Sequence, residues 1–213
     1  MSTHFYRIAV NLLTLGRFPL VLMFSVFAVL HVACPCRQTG GRCGSFALIA
    51  AACLILASLT DLFDGHLARK WKVVSKFGAM ADPLMDKVFY LFVFPTLLWL
   101  VSHDQQDIVH SCLLLTLTIL YLLRDQWVTF LRSVASLYNA YCGAMFIGKL
   151  RTATTFPVAI FIYIQETFRL SFVPSWSVFA AETYLILITI WSLVSYTCAY
   201  MPYMRQALQN KEQ

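Results

Sequence analysis

The stretch DLFDGHLARKWKVVSKFGAMADPLMD, residues 61–86, organises the rest of the chain. Its four aspartates form two pairs, Asp61 with Asp64 and Asp82 with Asp86. Spacings of three and four residues each place two side chains on one face of a helix. Carboxylates a few Å apart repel by about 3 to 4 kcal/mol per pair at an effective dielectric near 20, so a positive group must lie among them. We interpret the pattern as a site for divalent cations.

Composition indicates a membrane protein. Hydrophobic residues make up 60% of the 213 residues, and the mean hydropathy of +0.70 is far above what a soluble domain's average composition gives. The chain has ten acidic residues, and four of them lie within 61–86. An ionisable residue in a membrane segment costs roughly 2.5 to 3.5 kcal/mol on insertion scales, so such residues are functional candidates. We therefore interpret the four aspartates as one site rather than as unrelated helix ends.

Hydropathy predicts an all-α fold, an integral membrane bundle of six transmembrane helices in a single domain, 1–213. About twenty apolar residues at 1.5 Å rise cross a hydrocarbon core of roughly 30 Å. A third span that begins at Asp82 puts Pro83 in the first turn of its helix, where the missing N–H has no partner to lose. The aspartate pairs then meet where the second and third spans reach one membrane face. The predicted spans are 8–32, 45–66, 82–102, 108–131, 152–168 and 176–200.

Basic residues predict which side the aspartates face. Six spans put both termini on one side, and eleven lysines and arginines then lie in the inner segments and helix ends against three in the outer turns. This excess is typical of the cytoplasmic side. We therefore expect the +6 formal charge to meet anionic headgroups and phosphorylated solutes, with no need for a nucleic-acid partner. The outer residues are Arg37, Arg42 and Arg169, and the inner ones are Arg7, Arg69, Lys70, Lys72, Lys76, Arg124, Arg132, Lys149, Arg151, Arg205 and Lys211.

Arg17 lies in the first predicted span. We interpret it as an interfacial anchor that reaches the headgroups, and the alternative is that it supports the aspartate site.

The loop after the first span has three cysteines, Cys34, Cys36 and Cys43. It has no histidine or fourth cysteine to complete a tetrahedral metal site. A disulfide there is an open alternative if the loop faces an oxidising compartment.

The central stretch also carries a resemblance to a known family. The pattern is Asp61-x-x-Asp64-Gly65-x-x-Ala68-Arg69-(eight residues)-Gly78-x-x-x-Asp82-x-x-x-Asp86. It is similar, at every defined position, to the signature of the CDP-alcohol phosphatidyltransferase family. The segments 11–17, 124–132 and 148–152 further resemble bacterial phosphatidylglycerophosphate synthases, so the likeness covers most of the chain.

The resemblance implies an enzyme that transfers a phosphatidyl group from CDP-diacylglycerol to an alcohol and releases CMP. Glycerol 3-phosphate is the acceptor that the likeness favours, and inositol phosphate, serine, choline and phosphatidylglycerol are alternatives with the same chemistry. The likeness also implies a homodimer, surrounded by membrane lipids, in the cell inner membrane. A divalent-cation carrier is the alternative of another class. Carriers usually place their site at the bilayer midplane between repeated halves, and we see no repeat in this sequence.

The resemblance assigns a role to each signature position. The metal ligands would be Asp61, Asp64 and Asp82, holding two Mg²⁺ or Mn²⁺ ions, with Asp86 on the second ion and acting as general base. Gly65 and Gly78 would let a nucleotide approach the backbone closely. The guanidinium group of Arg69 would hold the diphosphate of that nucleotide. The CDP-diacylglycerol set is Asp64, Gly65, Ala68, Arg69 and Gly78. The acceptor-phosphate set is Arg124, Arg132, Lys149 and Arg151, for which topology-determining charge is the alternative.

Overall fold

The computed structural model describes residues 2–33, 43–70, 76–104, 108–138, 145–174 and 176–209. These residues form six α-helices and no strand, which confirms the all-α prediction. The cysteine-rich loop lies outside the described residues, apart from the backbone of Cys43. The helices are α1 (Ser2–Ala33), α2 (Cys43–Lys70), α3 (Lys76–Asp104), α4 (Ile108–Leu137), α5 (Phe146–Phe168) and α6 (Trp176–Gln209).

Five of these helices, α1 to α4 and α6, are long and apolar enough to cross a bilayer. The chain is therefore a multi-pass helical membrane protein. Helix α5 has 23 residues, which at 1.5 Å per residue gives about 35 Å, so its length also suffices. Its composition differs from the others because Lys149, Arg151 and Glu166 lie near its two ends. Whether α5 makes the sixth crossing stays a prediction.

Helix α5 lies at the centre of the bundle. Its side chains contact each of the first four helices, and it also packs along α6. Only five of its 23 residues are exposed. Because protein rather than lipid surrounds α5, polar residues are tolerated there better than on a lipid-facing helix. The contacts are Tyr163 edge-on to Phe24 (5.2 Å between ring centroids), the Tyr163 hydroxyl donating to the Ala47 carbonyl (3.1 Å), Phe156 against Phe89 (4.3 Å), and the Thr155 hydroxyl bonded to that of Tyr121 (2.7 Å).

Helix α3 begins earlier than the sequence predicted. It starts at Lys76 rather than at Asp82, so the prediction that Pro83 lies in the first turn is wrong. Hydropathy identifies the apolar part of a helix. It does not detect the part of α3 that continues into the basic segment before Asp82. The earlier start places Gly78, Asp82 and Asp86 at four-residue intervals within one helix.

Buried ionisable residues also occur at the end of the bundle away from the aspartates. His110, near the start of α4, lies between Glu166, near the end of α5, and Glu182, near the start of α6. The His110 Nε2 is 2.6 Å from the Glu182 Oε1, and its Nδ1 is 3.8 Å from the Glu166 Oε1. All three side chains are buried. This triad therefore brings buried side chains of α4, α5 and α6 together.

We predict that Glu182→Ala destabilises the protein, because it leaves His110 buried without its closest partner. Breaking a buried pair costs about 3 to 5 kcal/mol, which corresponds to a fall of about 6 °C or more in melting temperature for a chain of this size. The check is thermal unfolding of the purified protein in detergent. The matched control is Thr183→Ala at the exposed neighbouring position. Equal melting temperatures for the two variants would show that the triad does not hold the helices together.

Candidate active site

Three helices meet at one buried guanidinium group. Arg17 of α1 is 1% exposed. Its Nη2 lies 2.7 Å from the Oδ1 of Asp61 on α2, and its Nη1 lies 3.4 Å from the Oδ1 of Asp86 on α3. The first and last aspartates of the motif therefore come together at the same cation. The interpretation of Arg17 as an interfacial anchor is wrong, because its side chain lies inside the bundle and not among the headgroups.

The remaining motif positions lie on the same two helices. Asp64, Gly65, Ala68 and Arg69 follow Asp61 on α2, and Gly78 and Asp82 precede Asp86 on α3. The side chains of these six residues lie outside the described part of the structure. Their roles therefore stay predictions, while their backbones belong to the two helix segments that Arg17 joins.

The residues present fit a hard divalent cation. Carboxylate oxygens are the ligands that Mg²⁺ and Mn²⁺ prefer, and Asp61 and Asp86 direct oxygens from two helices at one positive group. Their side chains are 24% and 29% exposed, so ions and substrates can reach them. Among the described side chains no three His, Cys, Asp or Glu residues form a metal-binding group. Asp64 and Asp82, the other predicted ligands, are not among those side chains.

A second polar cluster lies between α4, α5 and α6. Arg124 donates from Nη1 to the Oδ1 of Asp125 at 2.8 Å, and from Nε and Nη2 to the Ser192 hydroxyl at 3.1 and 2.7 Å. Arg151 of α5 donates from Nη2 to the same Asp125 oxygen at 2.9 Å. All four residues are buried. Asp125 thus fixes two arginines from two helices.

Tyr196 of α6 positions the third arginine of this cluster. Its hydroxyl accepts hydrogen bonds from Nη2 of Arg132 at 3.1 Å and from the backbone N–H of Met145 at 2.9 Å. The guanidinium carbons of Arg124 and Arg132 lie 4.8 and 5.3 Å from its ring centroid. Cations at such distances are attracted to the negative face of an aromatic ring. One tyrosine therefore holds two cations and the start of α5.

The start of α5 approaches this cluster closely because residue 148 is glycine. A Cβ atom on Gly148 would lie 2.8 Å from the Tyr196 hydroxyl oxygen and 3.1 Å from Nη2 of Arg124. Lys149 is exposed, whereas Arg151 is buried; two residues apart on a helix, their side chains point roughly 200° from each other. Of the predicted acceptor set, the structure brings Arg124, Arg132 and Arg151 together and leaves Lys149 on the outside.

The cluster carries an excess of positive charge. Among the described contacts, the guanidinium groups of Arg124 and Arg151 share one carboxylate, that of Asp125. Arg151 is 3% exposed, and its Nε and Nη1 find no hydrogen-bond acceptor within the described part of the chain. Buried donors without acceptors are costly, and a phosphate group offers several charged oxygens to such donors. The arrangement is therefore suited to binding an anion.

Sequence reasoning assigned no role to Asp125, Ser192 or Tyr196. Asp125 did carry a signal, because a carboxylate within an apolar run is a candidate for function by itself. Ser192 and Tyr196 carried none, since hydroxyl side chains are common throughout α6. Their importance follows only from which residues of α4 and α5 they meet.

Comparison with known proteins agrees with the sequence resemblance. The profile of the CDP-alcohol phosphatidyltransferase family matches residues 7–196. The CDP-diacylglycerol–glycerol-3-phosphate 3-phosphatidyltransferase of Rickettsia typhi is 36% identical over 104 residues, which cover 49% of this chain and 53% of that protein. The Bacillus subtilis protein of the same name is 32% identical over 143 residues, 67% of this chain and 69% of that protein.

The match spans about half the length of the Rickettsia typhi and Rickettsia prowazekii relatives. The family profile, in contrast, covers most of the chain, including the whole motif and the arginine cluster. Members of this family generally use divalent metal ions, in agreement with the carboxylate chemistry described above. The chain belongs to the CDP-alcohol phosphatidyltransferase family.

Proposed function

We propose that the protein transfers a phosphatidyl group from CDP-diacylglycerol to glycerol 3-phosphate, giving phosphatidylglycerophosphate and CMP. One observation carries the proposal: the arginine cluster contacts helix α3 one turn after Asp86. The guanidinium carbon of Arg151 lies 5.7 Å from the ring centroid of Tyr90, which follows Asp86 by one turn of α3. This contact supports a site in which a proposed proton acceptor lies near a proposed phosphate-binding group.

The carboxylate cluster supplies the chemistry of transfer. Asp61, Asp64, Asp82 and Asp86 would hold two Mg²⁺ or Mn²⁺ ions, which neutralise charge on the diphosphate. Asp86 takes the proton from the acceptor hydroxyl, and that oxygen forms a bond to the β-phosphorus. The bond from this phosphorus to the oxygen of CMP breaks, and CMP leaves. The part of Asp86 that is exposed gives the hydroxyl access to the carboxylate.

The arginine cluster selects the acceptor. Arg124, Arg132 and Arg151 would bind the phosphate of glycerol 3-phosphate through charge-assisted hydrogen bonds. A positive cluster disfavours choline, which is a cation, and gains less from serine, which has no phosphate. Inositol phosphate also carries a phosphate and is the second candidate. The names of the relatives described above favour glycerol 3-phosphate over inositol phosphate.

The remaining motif residues would bind the lipid substrate. Gly65, Ala68 and Gly78, together with Asp64, would line the nucleotide, and Arg69 would hold its diphosphate. The excess of basic residues at this end supports a site that faces the cytoplasm from the cell inner membrane. A homodimer in the surrounding lipid completes the proposal.

The experiment that tests the proposal is CMP release by the purified protein in detergent micelles. We expect CMP release from CDP-diacylglycerol to require Mg²⁺ or Mn²⁺ and glycerol 3-phosphate, with phosphatidylglycerophosphate as the lipid product. Inositol phosphate, serine, choline and phosphatidylglycerol serve as comparison acceptors. Turnover with inositol phosphate alone would select the second candidate, and no turnover with any acceptor would refute a phosphatidyltransferase.

We predict that Asp86→Asn stops turnover and leaves the nucleotide bound. Loss of a general base lowers kcat by about 10²- to 10⁴-fold, whereas the amide keeps the size of the side chain. Calorimetric titration with CDP in the presence of Mg²⁺ measures binding separately from turnover. A parallel loss of CDP affinity and kcat would instead show that Asp86 acts mainly in binding.

We predict that Arg151→Ala raises KM for glycerol 3-phosphate by about 10- to 100-fold, which corresponds to roughly 1.5 to 3 kcal/mol for hydrogen bonds to a charged group. KM for CDP-diacylglycerol should change little, because Arg151 lies in the acceptor cluster. The matched control is Arg205→Ala, which removes an exposed arginine of α6. Steady-state kinetics with each substrate varied in turn provide the test. Equal increases in both KM values would place Arg151 outside an acceptor site.

A further inference from the structure

Arg17 belongs to the buried face of an apolar helix. Thr14, Val21 and Phe24 lie on the same side of α1, and each of them is buried. Burying a guanidinium group inside a membrane bundle costs free energy unless nearby carboxylates neutralise its charge. The compensation at Arg17 comes from the two ends of the catalytic motif, Asp61 and Asp86. Its burial is therefore tied to the proposed site.

We propose that Arg17 is a positioning residue for phosphatidyl transfer: its guanidinium holds Asp61 and Asp86 at a fixed separation and aims Asp86 at the acceptor hydroxyl. The proposal rests on the roles proposed above for the two carboxylates. Arg17 itself does not touch substrate in this scheme. It acts through the two side chains that it contacts.

The geometry requires an arginine rather than any cation. Separate nitrogens of one planar group reach the two carboxylates, Nη2 to Asp61 and Nη1 to Asp86. A lysine ammonium is a single point charge on a flexible stem and does not fix two partners at a set distance. Lysine at this position should keep the positive charge but should no longer align the carboxylates of Asp61 and Asp86.

The two contacts are unequal in a way that suits the two roles. The shorter one, 2.7 Å, fixes Asp61, which needs only a constant position as a ligand. The longer one, 3.4 Å, orients Asp86 less tightly. The looser contact leaves the Asp86 carboxylate room to meet the acceptor hydroxyl, while Asp61 keeps a constant position.

The first test separates turnover from binding in Arg17→Ala and Arg17→Lys. We expect kcat to fall about 100-fold in Arg17→Ala and about 10-fold in Arg17→Lys, with both KM values within about threefold of the wild type, because effects on positioning appear in kcat. Guanidinium chloride should restore part of the activity of Arg17→Ala, and sodium chloride of equal ionic strength should not. Phe18→Ala, at the exposed neighbouring position, is the control. Wild-type kcat in Arg17→Lys, or no rescue of a folded Arg17→Ala, would overturn the proposal.

The second test does not depend on activity. In metal-free protein we expect Arg17→Met and Asp61→Asn each to lower the melting temperature, and the double variant to lose less than the sum of the two. Additive losses would show that the two side chains do not act as a pair and would overturn the proposal. A wild-type protein that releases no CMP with any acceptor refutes the proposed function. An active wild type with unchanged Arg17 variants refutes only the role of Arg17.

Discussion

A charge buried among transmembrane helices has no water to stabilise it, so it must be neutralised by other groups of the protein. Three such groups organise this bundle. Arg17 joins α1 to α2 and α3 through Asp61 and Asp86. Asp125 joins α4 to α5 through Arg151, and the triad around His110 joins α4, α5 and α6 at the other end. The ion pairs of Arg17 and of Asp125 therefore both join helices and lie in the proposed site.

The proposed site consists of two regions of opposite charge on adjoining helix faces. In the proposal, the carboxylates would attract cations and the diphosphate that these cations neutralise, and the arginines would attract the acceptor's phosphate. Helix α3 carries Asp86, and one turn further along it Tyr90 lies beside Arg151. Helix α5 carries Arg151 of the arginine region, and other helices cover most of its surface. In this account the packing of the helices sets the reaction geometry.

Much of this arrangement could be predicted from the sequence, because charge is so rare in it. The carboxylate spacing in 61–86 predicted two helices that share a site, and hydropathy predicted the helical bundle. Hydropathy could not predict the start of α3, since that helix continues beyond the apolar residues. It also gave no indication that α5 is enclosed by protein. Arg17 was misinterpreted because its partners lie on two other helices, and Tyr196 was missed for the same reason.

The most direct test of the account is the location of Mn²⁺ in crystals of the protein soaked with that ion. The account predicts two anomalous difference peaks about 4 Å apart, as in other two-metal sites, each within coordination distance of carboxylates from both α2 and α3. Asp61, Asp64, Asp82 and Asp86 would be the ligands. Peaks confined to other parts of the bundle, or no peak between α2 and α3, would contradict it.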